Sequence, residues 1–242
     1  MRALPATELL ERWEAGLAQP RWEWARAMVS ASIPALTPEE LDLMTVGQRD
    51  RCLLDLREAI FGSQLVGRSR CPVCAESVDL TTEVALFRVE EAGARESTLD
   101  GPDYAVRVRT PNLGDLGFAA RASDVAAMRD VLLDRCVVTI DGESAAAGIA
   151  RIPESAIQRI VEAMAERDPQ ANLQLDLKCP ACAHAWSETF DIVEFLWTEL
   201  DAWAERLLGE VHHLATAYGW TEADVLALSP QRRSRYLDLI GT

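Results

Sequence analysis

Two tetrapeptides, Cys71-Pro72-Val73-Cys74 and Cys179-Pro180-Ala181-Cys182, constrain this chain more than any other feature. A Cys-x-x-Cys pair on a tight turn aims two sulfurs at one point. Two such turns supply the four thiolates of a tetrahedral zinc site, with Zn–S distances of about 2.3 Å. Each pair sits between two runs with strand character: Gln64 to Arg70 and Val78 to Val84 around the first, Leu173 to Leu177 and Trp186 to Ile192 around the second. A strand, Cys-Pro-x-Cys, strand unit that occurs twice is the pattern of a zinc ribbon divided in two. The 104 residues between the pairs do not prevent closure, because loop entropy grows only as the logarithm of loop length. The expectation is one structural Zn2+ on Cys71, Cys74, Cys179 and Cys182, with an insert between the pairs that folds as its own unit.

The neighbours of the cysteines refine this reading. Arg70 and Lys178 precede the first cysteine of each pair. Four thiolates on one zinc leave a net charge of about -2, which adjacent cations and backbone N–H groups offset. Ala75 and Ala183 follow the second cysteines, where a knuckle turn calls for positive φ and hence glycine. Alanine there costs roughly 1 kcal/mol per site, against about 10 kcal/mol or more from structural zinc. The competing readings are cysteines without metal and a pair of redox centres. A redox pair needs its first cysteine at a helix N-terminus, whereas both pairs here have strand flanks. A catalytic metal keeps an open position and usually includes His or carboxylate ligands, and four cysteines fill the shell. His184 reads as a solvent-side turn residue, and Cys52 and Cys136 as buried apolar positions.

The rest of the chain reads as an α+β protein, with helical N- and C-terminal parts around a small mixed strand-helix centre. The divisions fall at residues 1–63, 64–192 and 193–242. Thr7 suits the cap of a first helix through Leu9, Leu10, Trp13 and Leu17, which Pro20 ends. Trp22, Trp24, Ala25, Met28 and Val29 mark a second. Thr37-Pro38-Glu39-Glu40 opens a third stretch, and Gly62 ends a longer helix carrying Cys52, Leu53, Leu56, Ile60 and Phe61. In the centre, Glu90 to Gly101 reads as an acidic loop and Tyr104 to Arg109 as a strand. Helices are expected from about Leu113, from a Ser123 cap and from Pro153, with a strand from Val137 to Ile140 before an Asp141-Gly142 turn. Phe195 to Leu214 carries the apolar face of a long helix ending near Tyr218-Gly219. Thr221 with Asp224 and Ser229-Pro230 mark two further helix starts.

Composition narrows the function. A net charge of -15 argues against nucleic acid, which needs a basic face. No apolar run approaches membrane-spanning length. The N-terminus turns polar at once, so the chain is expected to fold in a cytoplasm, where thiols stay reduced. No phosphate loop, nucleophile elbow or His-Glu-x-x-His motif is present, so no catalytic residue and no small-molecule substrate are expected. His212 and His213 are adjacent on a helix and diverge by about 100°, too far to share a metal. The seven tryptophans fit core packing first. An interface is the sharper alternative, since Trp and Arg are enriched in binding surfaces. Trp197, Trp203, Trp220, Arg232, Arg233, Arg235 and Tyr236 are the candidate contact residues for an acidic partner.

Several segments together resemble a known family. Cys179-Pro180-Ala181-Cys182-Ala183-His184-Ala185-Trp186, continuing through Phe190-Asp191-Ile192 to Phe195-Leu196-Trp197, is similar to the T4-type baseplate hub assembly proteins of contractile phage tails and related extracellular contractile injection systems. So are Phe61-Gly62 with Arg70 to Cys74, the run Arg109-Thr110-Pro111-Asn112-Leu113-Gly114-Asp115-Leu116, and the tail from Glu210 through Trp220 to Arg233. The resemblance implies glycine where Ala75 and Ala183 stand here. The resemblance implies a non-enzymatic baseplate component or assembly chaperone that binds other baseplate or hub proteins, either left in the producing cell or built into the particle. A zinc-ribbon adaptor for protein or nucleic-acid partners is the alternative from another class.

Overall fold

The computed structural model describes residues 2–90, 95–101, 105–144, 152 and 154–241. Four helices open the chain: α1 (Ala6–Ala18), α2 (Arg21–Ser32), α3 (Pro38–Asp42) and α4 (Val46–Phe61). Thr37 and Thr45 each form a capping box, with Glu40 and Gln48 reaching back to the cap amide, which satisfies backbone donors that a helix start otherwise leaves bare. Gly62 closes α4 at φ 90. Thr7 does not cap α1. The helix starts directly after Pro5, whose fixed φ of -67 presets the entry and leaves Thr7 inside the helix. Leu17 is 61% exposed. Its neighbour Gly16 meets the core instead, lying against Trp24 and Trp197.

Both cysteine pairs lie at the tips of antiparallel hairpins. The first is β1 (Gln64–Arg70) with β2 (Ser77–Glu83), in register from Gln64 opposite Glu83 to Arg70 opposite Ser77. The second, β7 (Gln174–Lys178) with β8 (Ala185–Thr189), runs from Gln174 opposite Thr189 to Lys178 opposite Ala185. Neither strand leaving a tip runs as far as its apolar residues suggested. After β2 the chain tightens into a 3₁₀ turn, Val84–Phe87. After β8 it enters α8 (Ile192–Tyr218), with Asp191 accepting the amides of Val193 and Glu194. Ile192 is apolar because it faces the core as the first residue of that helix.

The segment between the hairpins builds a second, smaller core. Strands β3 (Glu96–Asp100), β4 (Ala105–Arg109), β5 (Val137–Ile140) and β6 (Glu143–Ser144) form one antiparallel sheet. The turn between the last two uses φ 51 at Asp141 and φ 81 at Gly142, the signature of a type I′ hairpin. Val106, Val108, Leu133, Val137, Ile140 and Ile160 fill this core. The stretch expected as an acidic loop contains β3. Leu99 supplies its inward side chain and charged residues its outer face, so composition concealed an edge strand. Helices α5 (Leu113–Ala119), α6 (Val125–Cys136) and α7 (Glu154–Arg167) complete the segment. Asp124, not Ser123, caps α6 by accepting the amide of Ala127. Tyr104 and Pro153 lie outside the described residues.

The run Arg109-Thr110-Pro111-Asn112-Leu113-Gly114-Asp115 acquires a physical meaning here. Asn112 and Asp115 form the capping box of α5. The Asp115 carboxylate, fully buried, also receives Arg109 at 2.6 and 3.0 Å and Arg135 at 2.7 Å. One side chain thereby ties β4, α5 and α6 together. The amide of Leu113 donates to the carbonyl of Met44 at 2.9 Å, which fastens this segment to the α3–α4 junction.

The two terminal helical regions are one structure. Leu9, Trp24, Met28, Leu53, Leu56, Ile192, Leu196, Trp197 and Leu200 share a core with Leu65, Val84 and Phe87 from the base of the first hairpin. Trp13 Nε1 donates to Asp201 at 2.7 Å, and Arg57, 2% exposed, grips Glu199 through bonds of 2.7 and 2.6 Å. Beyond Gly219, which ends α8 in the left-handed conformation at φ 69, α9 (Glu222–Leu226) and α10 (Pro230–Ile240) fold back onto Val211 and Leu214. Thr221 and Ser229 cap these two helices. No helix among the described residues is long and apolar enough to cross a membrane.

Candidate metal centre

The two hairpin tips have the same backbone. In the first, the Cys71 amide donates to Glu76 O at 2.9 Å and the Ala75 amide to Cys71 O at 2.9 Å. In the second, Cys179 donates to His184 O at 2.8 Å and Ala183 to Cys179 O at 3.0 Å. Both turns close through a left-handed residue, Ala75 and Ala183, each at φ 60. These are the positions where spacing called for glycine, and alanine holds the conformation at a cost of about 1 kcal/mol each.

The tips bring their sulfurs to one place. All four Sγ atoms lie within 4.8 Å of one another. The close approaches run between hairpins: Cys71 to Cys182 at 3.7 Å and Cys74 to Cys179 at 3.5 Å. A disulfide needs about 2.05 Å, and all four cysteines are free thiols. A tetrahedral ZnS4 group with bonds of about 2.3 Å has sulfur–sulfur edges of about 3.8 Å, close to the spacings found. Cys71 and Cys179 are buried, while Cys74 and Cys182 face solvent, so the cluster has an inner and an outer half. The donor set fits one metal ion shared by both hairpins.

Its electrostatics point the same way. Burial disfavours the Cys71 thiolate, but the amides of Cys74 and Val73 and the thiols of Cys74 and Cys182 outweigh it and lower the pKa to about 7. Cys74 then cannot ionise readily. The Glu76 amide favours its thiolate, yet the neighbouring sulfurs of Cys182 and Cys179 push it up to about 12. Four sulfurs at this spacing can all be anionic only around a cation, which draws protons from coordinating thiols.

The surroundings complete the tip-to-tip joint. Ser69 on β1 donates to the Glu188 carboxylate on β8. His184 stacks on Trp186, centroids 6.1 Å apart and planes 7° apart, and is not one of the clustered ligands. Arg70 and Lys178 end their strands next to the cysteines, with both side chains exposed. Cys52 and Cys136 stand apart. Burial, with Asp115 nearby, pushes the Cys136 thiol up to about 12, which makes it inert.

The aromatic and arginine residues divide in two. Trp197 is 7% exposed and packs edge-on against Trp24, while Arg233 is 5% exposed and clamps Glu210 at 2.7 Å. Both are structural and lie out of a partner's reach in this conformation. Trp203 is half-buried against α1. Trp220 and Tyr236 form an aromatic cluster with Tyr218, at centroid distances of 4.7, 4.9 and 5.7 Å, and Arg232 and Arg235 stand exposed beside it. His212 and His213 are both exposed. Spacing along a helix could not separate these groups, because the packing of α8 on α1 and α2 covers Trp197 and the fold-back of α10 onto α8 covers Arg233.

Comparison with curated proteins and with solved structures returned no match. A protein-family comparison matches residues 25–197, from within α2 to within α8, and so takes in both hairpins and all four cysteines. This chain belongs to the T4 bacteriophage base plate protein family, the baseplate proteins of contractile phage tails.

Proposed function

We propose that this chain is a non-enzymatic building or assembly protein of a contractile baseplate, stapled by one structural zinc and acting by binding other baseplate or hub proteins. The observation that carries the metal is the single four-sulfur cluster formed between two hairpins 104 residues apart. Four sulfurs complete a tetrahedral shell and leave no position for water or substrate, which supports a structural role over a catalytic one. Arg70 and Lys178 offset the residual negative charge from the solvent side. The C-terminal helical end, with half-buried Trp220 and Tyr236 and exposed Arg232 and Arg235, is one contact surface for those partners, and its aromatic–arginine chemistry suits an acidic protein surface. Production in the bacterial cytoplasm follows from the same reading.

Metal analysis of the purified wild type beside Cys74→Ser and Cys182→Ser tests the zinc. One zinc per chain, lost in either variant, is expected. Retention of metal in both would overturn the shared site. For the role, particles from a strain lacking this chain are expected to lack complete baseplates. Intact particles of normal composition would refute it, and mass spectrometry of wild-type particles separates a resident component from a departing assembly factor.

A further inference from the structure

Between the two hairpins, above the N-terminal half of α8, runs an open groove of about 810 Å³. Its apolar lining includes Val66, Leu80, Leu175, Phe190 and Phe195. Val66 is 61% exposed, and the other four are half-buried; Leu175, Phe190 and Phe195 anchor in the main core, and all five leave part of their apolar surface uncovered along the groove. Two-stranded hairpins have little core of their own, and an exposed apolar cleft with a polar rim marks a binding site.

The rim specifies the occupant. Six carboxylates line it against one guanidinium, Arg68. Three are matched by arginine: Asp79 by Arg68, Glu194 by Arg21 and Glu199 by Arg57. Asp176, Glu188 and Asp191 have no ion pair among the described residues. Asp191 caps α8, and Glu188 accepts the Ser69 hydroxyl. The groove is thus apolar along its floor and anionic along its edge, on a chain of net charge -15.

We propose that this groove docks an apolar segment of a partner protein that carries lysine or arginine beside its apolar residues. The inference rests on the reading of this chain as a protein-binding baseplate module, and it places a second contact surface at the metal-bearing end. A second copy of the chain is a poor occupant, because it would set one acidic rim against another. Desolvating like charges across an interface is strongly unfavourable.

Fluorescence anisotropy at low ionic strength tests it, using three labelled peptides of equal length: alternating valine and lysine, alternating serine and lysine, and alternating valine and glutamate. Saturable binding of the valine–lysine peptide, at least about tenfold tighter than either control, is expected. Val66→Lys should weaken that binding about tenfold or more, since it puts a like charge in the floor. Leu17→Lys, the same charge change at an exposed site on α1, should leave it unchanged. Equal binding of the three peptides, or equal loss in both variants, would show unspecific attraction and overturn the proposal. So would a wild-type dimer in sedimentation that Val66→Lys dissolves, since it would give the groove to a second copy. None of these outcomes alters zinc content or particle composition, so this inference can fail while the proposed function stands.

Discussion

Gly16→Ala sets intrinsic helix propensity against tertiary packing, and the two predict opposite signs. Gly16 lies inside α1, where alanine is favoured over glycine by up to about 1 kcal/mol. A Cβ at this position would stand 2.3 Å from Trp197 Cζ3 and 2.6 Å from Trp24 Cδ1. Neither ring has room to withdraw. Their centroids are 5.2 Å apart at 89°, and the Arg21 guanidinium covers Trp197 at 3.7 Å. Relief needs a shift of about 1 Å in fully packed side chains, which places the overpacking cost near the upper end of its usual range, about 3 kcal/mol. After the propensity gain, a net loss of about 2 kcal/mol remains, or a fall in melting temperature of roughly 4–8 °C for a chain of this size. Circular dichroism melts of the zinc-loaded protein measure it. In a Trp197→Leu background the 2.3 Å clash is gone and the one with Trp24 at 2.6 Å remains, so the same Gly16→Ala change should cost about half as much or less. A rise in melting temperature in the wild-type background would refute the packing account.

Further predictions concern the site and its supports. Ala75→Gly with Ala183→Gly relieves two left-handed alanines, each held at about 1 kcal/mol, and adds back part of that as unfolded-chain entropy. A few-fold tighter zinc affinity in chelator competition is expected, and weaker binding would contradict the strain at φ 60. Asp115→Asn leaves Arg109 and Arg135 without their buried partner and should destabilise by about 3 kcal/mol. In the wild type, burial raises the Asp115 pKa, and bonds from Arg109, the Asn112 amide and Arg135 outweigh it, so the folded value lies below the ordinary one. Its contribution is therefore complete above the unfolded pKa of about 3.9 and disappears as pH falls through the folded value. The gap between wild type and Asp115→Asn should narrow below pH 4 in pH-dependent denaturation, and a constant gap would refute the assignment. Chelation of zinc should open the tips and spare the helices. Hydrogen exchange is expected to rise in residues 68–79 and 177–186 while α4 and α8 stay protected, and uniform exposure would show that the metal holds the whole fold.

The cysteine spacing carried the centre of the molecule, because a knuckle turn is a local geometry written in four consecutive residues. It placed both hairpins, both strained alanines and the joining of distant segments. Local helix chemistry was equally legible at Thr37, Gly62, Thr221 and Ser229, where caps act on neighbouring residues. What the sequence hid is long-range. Arg109, Asp115 and Arg135 meet only because β4, α5 and α6 converge, although the Asn112-x-x-Asp115 capping pattern was visible. Gly16 gave no signal at all, since its role depends on two tryptophans from other helices. Charged residues at alternate positions disguised β3 as a loop, because an edge strand shows its polar face to solvent. Trp197 and Trp220 have the same composition signal, yet the packing of α8 against α1 and α2 buries the first, and the fold-back of α9 and α10 leaves the second half-buried.

These observations connect the metal to binding by geometry alone. The bases of the two hairpins are anchored in the helical core through Leu65, Val84 and Phe87 on one side and through Leu175 and Phe190 on the other. Their tips are joined by the four sulfurs and by the bond from Ser69 to Glu188. The groove lies between those two lines of attachment, so the distance across it is set at the bottom by α8 and at the top by the cysteine cluster. With the proposed metal bound, the four sulfurs would clamp the top and hold the walls of the apolar cleft in a fixed geometry, which two-stranded hairpins could not do unaided. Preorganisation of this kind lowers the entropy lost on docking. On this proposal the cysteines are scaffold in a specific sense: without contacting a partner, they would set the shape of the surface proposed to do so.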